Sequence, residues 1–265
     1  MPVLPLPPPA RATAIRSIAA LVLREISARH GRTPGGYLWA LLEPLGAIAL
    51  LTVAFSLMLR APPLGGSFAL FYATGYLPFA LFMALSMRVA LAIRFSRPLL
   101  AYPRVSYLDA LIARGLLALL TQLTLTGVVL GGLLAIEGRP GLLDPAAIAL
   151  ALAMGVALGA GVGIMNCFAF SMSPVWESAW QIAMRPLILV SGVLYLPEDL
   201  PAPAADWLWW NPLVHVTAMM RRGFYASYDA QGAAPAYVLG LSAALAALGL
   251  IALRGHHRHI VNERF

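Results

Sequence analysis

Six runs of apolar residues constrain this chain more than any other feature. They cover residues 38–59, 68–93, 108–136, 146–170, 182–196 and 236–253. A helix of about 20 apolar residues crosses the hydrocarbon core of a bilayer, because only a helix or a closed barrel satisfies its own backbone polar groups there. The pattern predicts an all-α integral membrane protein with six transmembrane helices. The fifth run is the shortest and carries Arg185 and Pro186 near its start. Composition agrees: hydrophobic residues make up 60%, charged residues 11%, and mean hydropathy is +0.80. Soluble domains are about 45–50% apolar and about 25% charged. A soluble enzyme, a secreted disulfide scaffold and a nucleic-acid binder are thereby excluded. The single cysteine, Cys167, has no partner for an intramolecular disulfide.

The net charge of +7 comes from arginine alone, for the sequence has no lysine. Genomic base composition accounts for that, or else forked guanidiniums are needed against phosphate or carboxylate. The arginines also orient the chain. Arg11, Arg16, Arg24, Arg29 and Arg32 precede the first span. Arg94, Arg97 and Arg104 lie between the second and third, and Arg254, Arg258 and Arg264 follow the last. The opposite connections are diluted with acids, so the positive-inside rule puts both termini in the cytoplasm.

Around the spans the chain divides further. Residues 1–10 are a Pro-rich lead-in, expected to be disordered and without the pattern of a signal peptide. Residues 11–36 carry apolar positions at spacings of three and four, interrupted by arginines. This predicts an amphipathic helix in the membrane interface, with an ordinary surface helix as the other reading. The main body, 37–255, ends in a cytoplasmic tail, 256–265. The connection 93–107 is basic, has two prolines and is apolar enough to hold a short helix at the cytoplasmic surface. Residues 197–228, before the last span, predict a re-entrant or interfacial helix pair on the outer side, with Trp207, Trp209 and Trp210 in the aromatic belt.

Several residues within this frame bear on chemistry. The histidines at 256, 257 and 259 have no ligand partners at metal-binding spacing, so no metal site is expected. No phosphate loop is possible without lysine, so any ATP-driven role would need a separate ATPase. Gly155, Gly159 and Gly163 recur every four residues, as do Gly127 and Gly131; such stripes serve close packing within one subunit or a dimer seam. The second span carries an aromatic stripe, Phe68, Phe71, Tyr72, Phe79 and Phe82, with Tyr76 nearby. It either packs or faces lipid, or it forms a smooth wall along which sugar rings slide. Charges inside spans are costly and point to function. Glu43, Arg88, Arg114 and Arg185 lie close enough to the inner surface to snorkel, and together they suggest a basic inner vestibule that attracts anions.

Three motifs resemble one family. GRTPGGYLWALLEPL (31–45), RPLILVSGVLYLPEDLP (185–201) and WNPLVHVTAMMRRGFY (210–225) are similar to motifs of the KpsM-like capsular polysaccharide export permeases, the transmembrane subunits of ABC type-2 transporters. The resemblance covers nearly the whole chain in span count and loop order. It implies a permease that is not itself an enzyme, in the bacterial inner membrane. It implies a homodimer flanking a channel, two cytoplasmic ATPase subunits that bind ATP and Mg, and a lipid-linked acidic capsular polysaccharide as cargo. A periplasmic co-polymerase and an outer-membrane channel would continue the route. Exporters of another lipid-linked polymer, such as O-antigen or teichoic acid, or of a small amphiphile, are the alternative. On this reading glycan enters beside Tyr37, Trp39 and Glu43, slides past Phe71, Tyr72, Tyr76 and Phe79, and meets Arg88 or Arg185. It leaves past a gate of Trp207, Trp210, His215, Arg221 and Arg222. Arg221 and Arg222 serve equally as contacts to carboxylate or phosphate or as anchors to lipid headgroups. Arg94, Arg97, Tyr102 and Arg104 would seat in the ATPase, with the link near 173–178 as a second contact.

Overall fold

The computed structural model describes residues 18–22, 36–100, 106–137 and 143–262, with residues 36–37, 99–100 and 257–262 described in their backbone only. Every regular element among them is helical. These are α1 (Gly36–Ser56), α2 (Phe68–Ala90), α3 (Ala92–Leu100), α4 (Tyr107–Glu137), α5 (Pro145–Met172), α6 (Pro174–Met184), α7 (Ala202–Leu208), α8 (Pro212–Phe224) and α9 (Pro235–Asn262). Residues 18–22 are helical too; the rest of the amphipathic segment 11–36 up to residue 35, the lead-in, Tyr102 and Arg104 lie outside the described residues. α3 lies at the connection after the second span, and α7 and α8 lie within residues 197–228. α9 carries the chain through His256 to Asn262, so helix continues into the segment expected as a tail.

Among the described residues, α1, α2, α4, α5 and α9 are long and apolar enough to cross a membrane. The fifth expected span, 182–196, is not one helix, and this corrects the sequence reading. α6 begins earlier and ends at Met184. Pro186 has no N–H to offer the Ile182 carbonyl, so the Arg185 N–H closes a tighter turn onto that oxygen at 3.3 Å. A single 3-10 turn, Pro186–Ile188, follows, and the chain then unwinds through Gly192 at φ +66°.

Helix starts follow from local sequence. Asp144, Ser173 and Asn211 each precede a proline and each cap a helix. Asp144 accepts from the N–H groups of Ala146 and Ala147, and Asn211 from that of Leu213 at 3.0 Å. Proline suits the first helical position because its missing N–H would have no intrahelical partner there.

α2 is the hub. α1, α4, α5 and α8 all pack on it, and α9 packs along α5. Phe71, Tyr72, Leu77, Leu81, Phe82 and Leu85 are buried in that packing. The glycine stripe on α5 serves the same subunit. A Cβ at Gly163 would lie 2.7 Å from the Val89 Cβ of α2, and one at Gly161 would lie 2.5 Å from the Ser242 carbonyl oxygen of α9. Lipid tails are as apolar as leucine, so such close backbone approach is what holds membrane helices together. Gly127 and Gly131 on α4 face open space instead.

Gly161→Leu should therefore destabilise the fold by about 1–3 kcal/mol or more, since a backbone carbonyl cannot step aside. Gly127→Leu should stay within about 0.5 kcal/mol in the isolated chain. Thermal unfolding of the two purified variants in detergent checks this; equal melting temperatures would contradict the packing assignment.

Candidate functional site

α1 and α4 each pack on α2 but scarcely meet each other. The gap between them is a groove of about 600 Å³, floored by α2 from Tyr76 to Leu91. At 1.5 Å per residue that floor is roughly 22 Å long. Ala80 and Ala84 keep it open, and Met83 and Met87 line it with flexible side chains. Ala40, Glu43 and Pro44 of α1 form one wall, and Arg114, Thr121, Gln122 and Thr126 of α4 form the other. Arg88 stands near one end of the floor and Tyr76 near the other. The Arg114 guanidinium lies 4.3 Å from the centroid of the Phe95 ring. Gln122 Nε2 donates to the Ala80 carbonyl at 3.0 Å, fixing α4 against α2 inside the groove. Polar groups are expensive at this depth unless they are paired or line a wet cavity.

Five of the residues singled out from sequence, Glu43, Tyr76, Phe79, Arg88 and Arg114, thus meet in one groove. Trp39 is exposed on the outer face of α1, 66% accessible. Phe71 and Tyr72 are corrected. Both are fully buried, so they are packing residues and no sliding wall for sugar. Arg185 ends α6 facing outward, apart from the groove.

The outer gate is also corrected. Trp207, Trp210 and Arg222 are exposed, but His215 and Arg221 are sealed inside. His215 Nδ1 accepts the Ala234 N–H at 3.0 Å, so the proton is on Nε2, which donates to the Trp209 carbonyl at 2.8 Å. The Trp209 and Tyr237 rings flank it. Arg221 donates from Nη2 to the Val193 carbonyl at 2.9 Å and from Nη1 to the Tyr195 carbonyl at 3.0 Å. Its guanidinium covers the Phe71 ring at 4.1 Å. Gly75 permits this, since a Cβ there would stand 3.1 Å from Nη2 and 3.0 Å from the Val193 oxygen. One helical turn earlier, Thr217 Oγ1 donates to the Ser191 carbonyl, and Asn211 Nδ2 reaches the Val190 carbonyl. Side chains from α8 and its cap thus take up the carbonyls that the unwound stretch leaves without helical partners. Beside them Tyr228 donates to Glu198 at 2.8 Å; burial, and then the neighbouring carboxylate, push its phenol above the usual range and keep it a donor.

At one end of the bundle α3 meets α6. Arg94 Nη1 pairs with Glu177 Oε2 at 2.8 Å, and a cavity of about 240 Å³ opens between Arg94, Arg97, Ser171, Pro174 and Glu177. The two segments expected to face an ATPase are therefore neighbours.

Sequence reading did not single out Thr121, Gln122, Asn211, Thr217 or Glu177 as site residues. Thr121 and Gln122 are polar positions in an apolar run, a signal open to reading. Asn211 and Thr217 gained their meaning only once the fifth run was seen to be broken.

This helical bundle, with a polar groove and a broken outer segment, matches the ABC-2 type transporter family over residues 16–225, and the chain belongs to that family. Among its relatives, the polysialic acid transport protein KpsM of Escherichia coli is 28% identical over 239 residues, 90% of this chain and 92% of the relative. The capsule polysaccharide export inner-membrane protein CtrC of Neisseria meningitidis serogroup A is 31% identical over 240 residues, 89% of each chain. The BexB protein of the same description from Haemophilus influenzae is 25% identical over 246 residues, 92% of each.

Packing and groove residues should part company under mutation. Phe71→Ala, at about 3–5 kcal/mol, and Arg221→Ala, at about 1–3 kcal/mol for each carbonyl left without a donor, should lower membrane protein level and any transport activity together. Tyr76→Phe and Arg88→Gln should leave the protein level unchanged. Quantitative immunoblots of membranes decide this; normal levels of the Phe71 and Arg221 variants would contradict their structural assignment.

Proposed function

We propose that this chain is the membrane-spanning permease of an ATP-driven exporter that carries capsular polysaccharide across the bacterial inner membrane. What carries the reading is near-full-length similarity to three capsule polysaccharide and polysialic acid transport proteins, each matched over about nine-tenths of both chains. The groove adds chemical support. Hydroxyl, amide and guanidinium groups stand among the apolar residues that line it, and they offer contacts to a hydroxyl-rich, acidic polymer.

In this account the chain crosses six times, with α6 and the unwound stretch after it making the fifth pass as a broken helix. Both termini are then cytoplasmic, as the arginines require. α7 and α8 form the re-entrant segment near the outer surface. The permease is a homodimer with two separate ATPase subunits, which hold ATP and Mg. The cargo is linked to lipid, and a periplasmic co-polymerase and an outer-membrane channel receive it. The α3–α6 corner is the ATPase seat. Arg94 and Glu177 tie the two segments so that a push on either moves α2 and α5 together.

Cells lacking this chain should retain polysaccharide inside, and the wild-type chain should restore it to the surface. Arg94→Glu should fail to restore it, while the charge-swapped pair Arg94→Glu with Glu177→Arg should recover much of it. Surface polysaccharide is measured with an antibody or lectin against intact cells. Unchanged surface polysaccharide in the deletion strain would overturn the proposed function; rescue by Arg94→Glu alone would overturn the coupling corner.

A further inference from the structure

The joint between α8 and α9 rests on one imidazole. His215 is 3% exposed, and both of its ring nitrogens are engaged. Nε2 donates to the Trp209 carbonyl at 2.8 Å. Nδ1 accepts from the N–H of Ala234, whose own carbonyl receives the N–H groups of Tyr237 and Val238 at the start of α9. The ring therefore ties the entry of the last span to the outer helix. The loop it closes, 229–234, is held under constraint. A Cβ at Gly232 would run into the Trp209 indole. Ala230 holds φ +49°, a region that L residues rarely adopt.

This arrangement needs a neutral ring. An imidazolium donates from both nitrogens, so a proton on Nδ1 would set a second donor against the Ala234 N–H. The Gly232 carbonyl stands by the ring as the acceptor such a proton would turn to. Burial holds the imidazole below its ordinary value of 6.5, against the opposing pull of the Trp209 and Gly232 carbonyls. α8 packs on α2, α5 and α9. From α9, Tyr237 faces the ring, with its hydroxyl committed to the Trp210 carbonyl at 2.8 Å. From α5, the Asp144 backbone meets Gly223, about 12 Å further along α8. From α2, Tyr72 lies beside Phe71 under Arg221, about 9 Å along. Asp206, Arg222 and Asp229 are exposed.

We propose that His215 is an acid-released latch: a proton on the ring detaches Ala234 and frees the loop 229–234 from Trp209, loosening the entry to the last span. Once released, the imidazole regains its ordinary affinity for protons, so the released form takes up the proton more readily than the closed one. The latch is at full strength above about pH 6.5 and weakens as the pH falls through that value. On the orientation proposed above, the joint faces the outer compartment and senses the acidity there. That placement rests on the permease reading; the latch itself does not.

The test uses the whole chain purified in detergent and follows amide hydrogen exchange by mass spectrometry at pH 7.5 and 5.0. Rates are divided by those of the unfolded chain at the same pH, which removes the intrinsic effect of pH on exchange. Wild type should protect the segment 229–237 at pH 7.5 and lose that protection at pH 5.0 by up to about thirtyfold, the limit for a released value of 6.5. The segment 150–160 of α5 should stay protected at both. His215→Asn offers Ala234 an oxygen that does not titrate, so its protection should be the same at both pH values. Gly232→Ala forces the loop off Trp209 and should leave 229–237 unprotected at both. Unchanged wild-type protection would overturn the latch, which decides the matter even if the Asn variant does not fold. An equal pH response in a folded His215→Asn variant, or protection of Gly232→Ala at pH 7.5, would also overturn it. So would loss of protection along α5 at pH 5.0, by showing general acid unfolding. None of these outcomes bears on surface polysaccharide, so the latch and the permease reading fail separately.

Discussion

A carbonyl without a donor is hardest to tolerate where water is scarce, and this fold turns on four of them. Past Pro186 the chain stops being helical, and the carbonyls of Val190, Ser191, Val193 and Tyr195 lose their ladder. Asn211, Thr217 and Arg221 restore it from a neighbouring helix, with Thr217 and Arg221 one turn apart on a common face of α8. The guanidinium is the most exacting of these donors. It is fully buried, with no ion pair among the described residues, and is solvated by two carbonyls and the face of Phe71. Gly75 on α2 leaves it room. One side chain thereby fixes the broken segment, the short outer helix and the central span to each other.

That junction gives the other half of the molecule its freedom. α2 is anchored on one side by α5 and α8, through glycine contacts and the arginine. Its opposite side is only partly covered by α1 and α4, which leave the groove between them. The aromatic stripe of α2 also divides. Phe71 lies under Arg221 of α8 and Tyr72 against Phe55 of α1, while Tyr76 and Phe79 reach the groove.

Much of the architecture could be read from hydropathy. The long runs became α1, α2, α4, α5 and α9, and the short basic and outer helices fell where proline, arginine and tryptophan placed them. The fifth run misled because hydropathy records apolarity and is blind to a missing N–H; Pro186 and Gly192 were visible, but their effect depended on donors 21 to 28 residues from the carbonyls they serve. The same blindness affected the site. Arg221 looked like a ligand contact because it lay among acids in an outer segment, and only its position beneath α2 shows it to be structural. Glu43 and Arg88 were legible as costly charges in apolar runs. That they share a groove with Tyr76 depends on α1 and α4 both resting on α2, which no local pattern encodes.

The central claim is that polymer passes through this chain while energy comes from another. It is tested most directly by reconstituting the chain with its ATPase in sealed vesicles loaded with labelled lipid-linked acidic polysaccharide. Label reaching the far leaflet is then followed with an impermeant quencher. ATP should drive quenching with wild-type protein, and Arg88→Gln should slow it at unchanged protein content. Steady ATP hydrolysis with no label crossing would contradict the account.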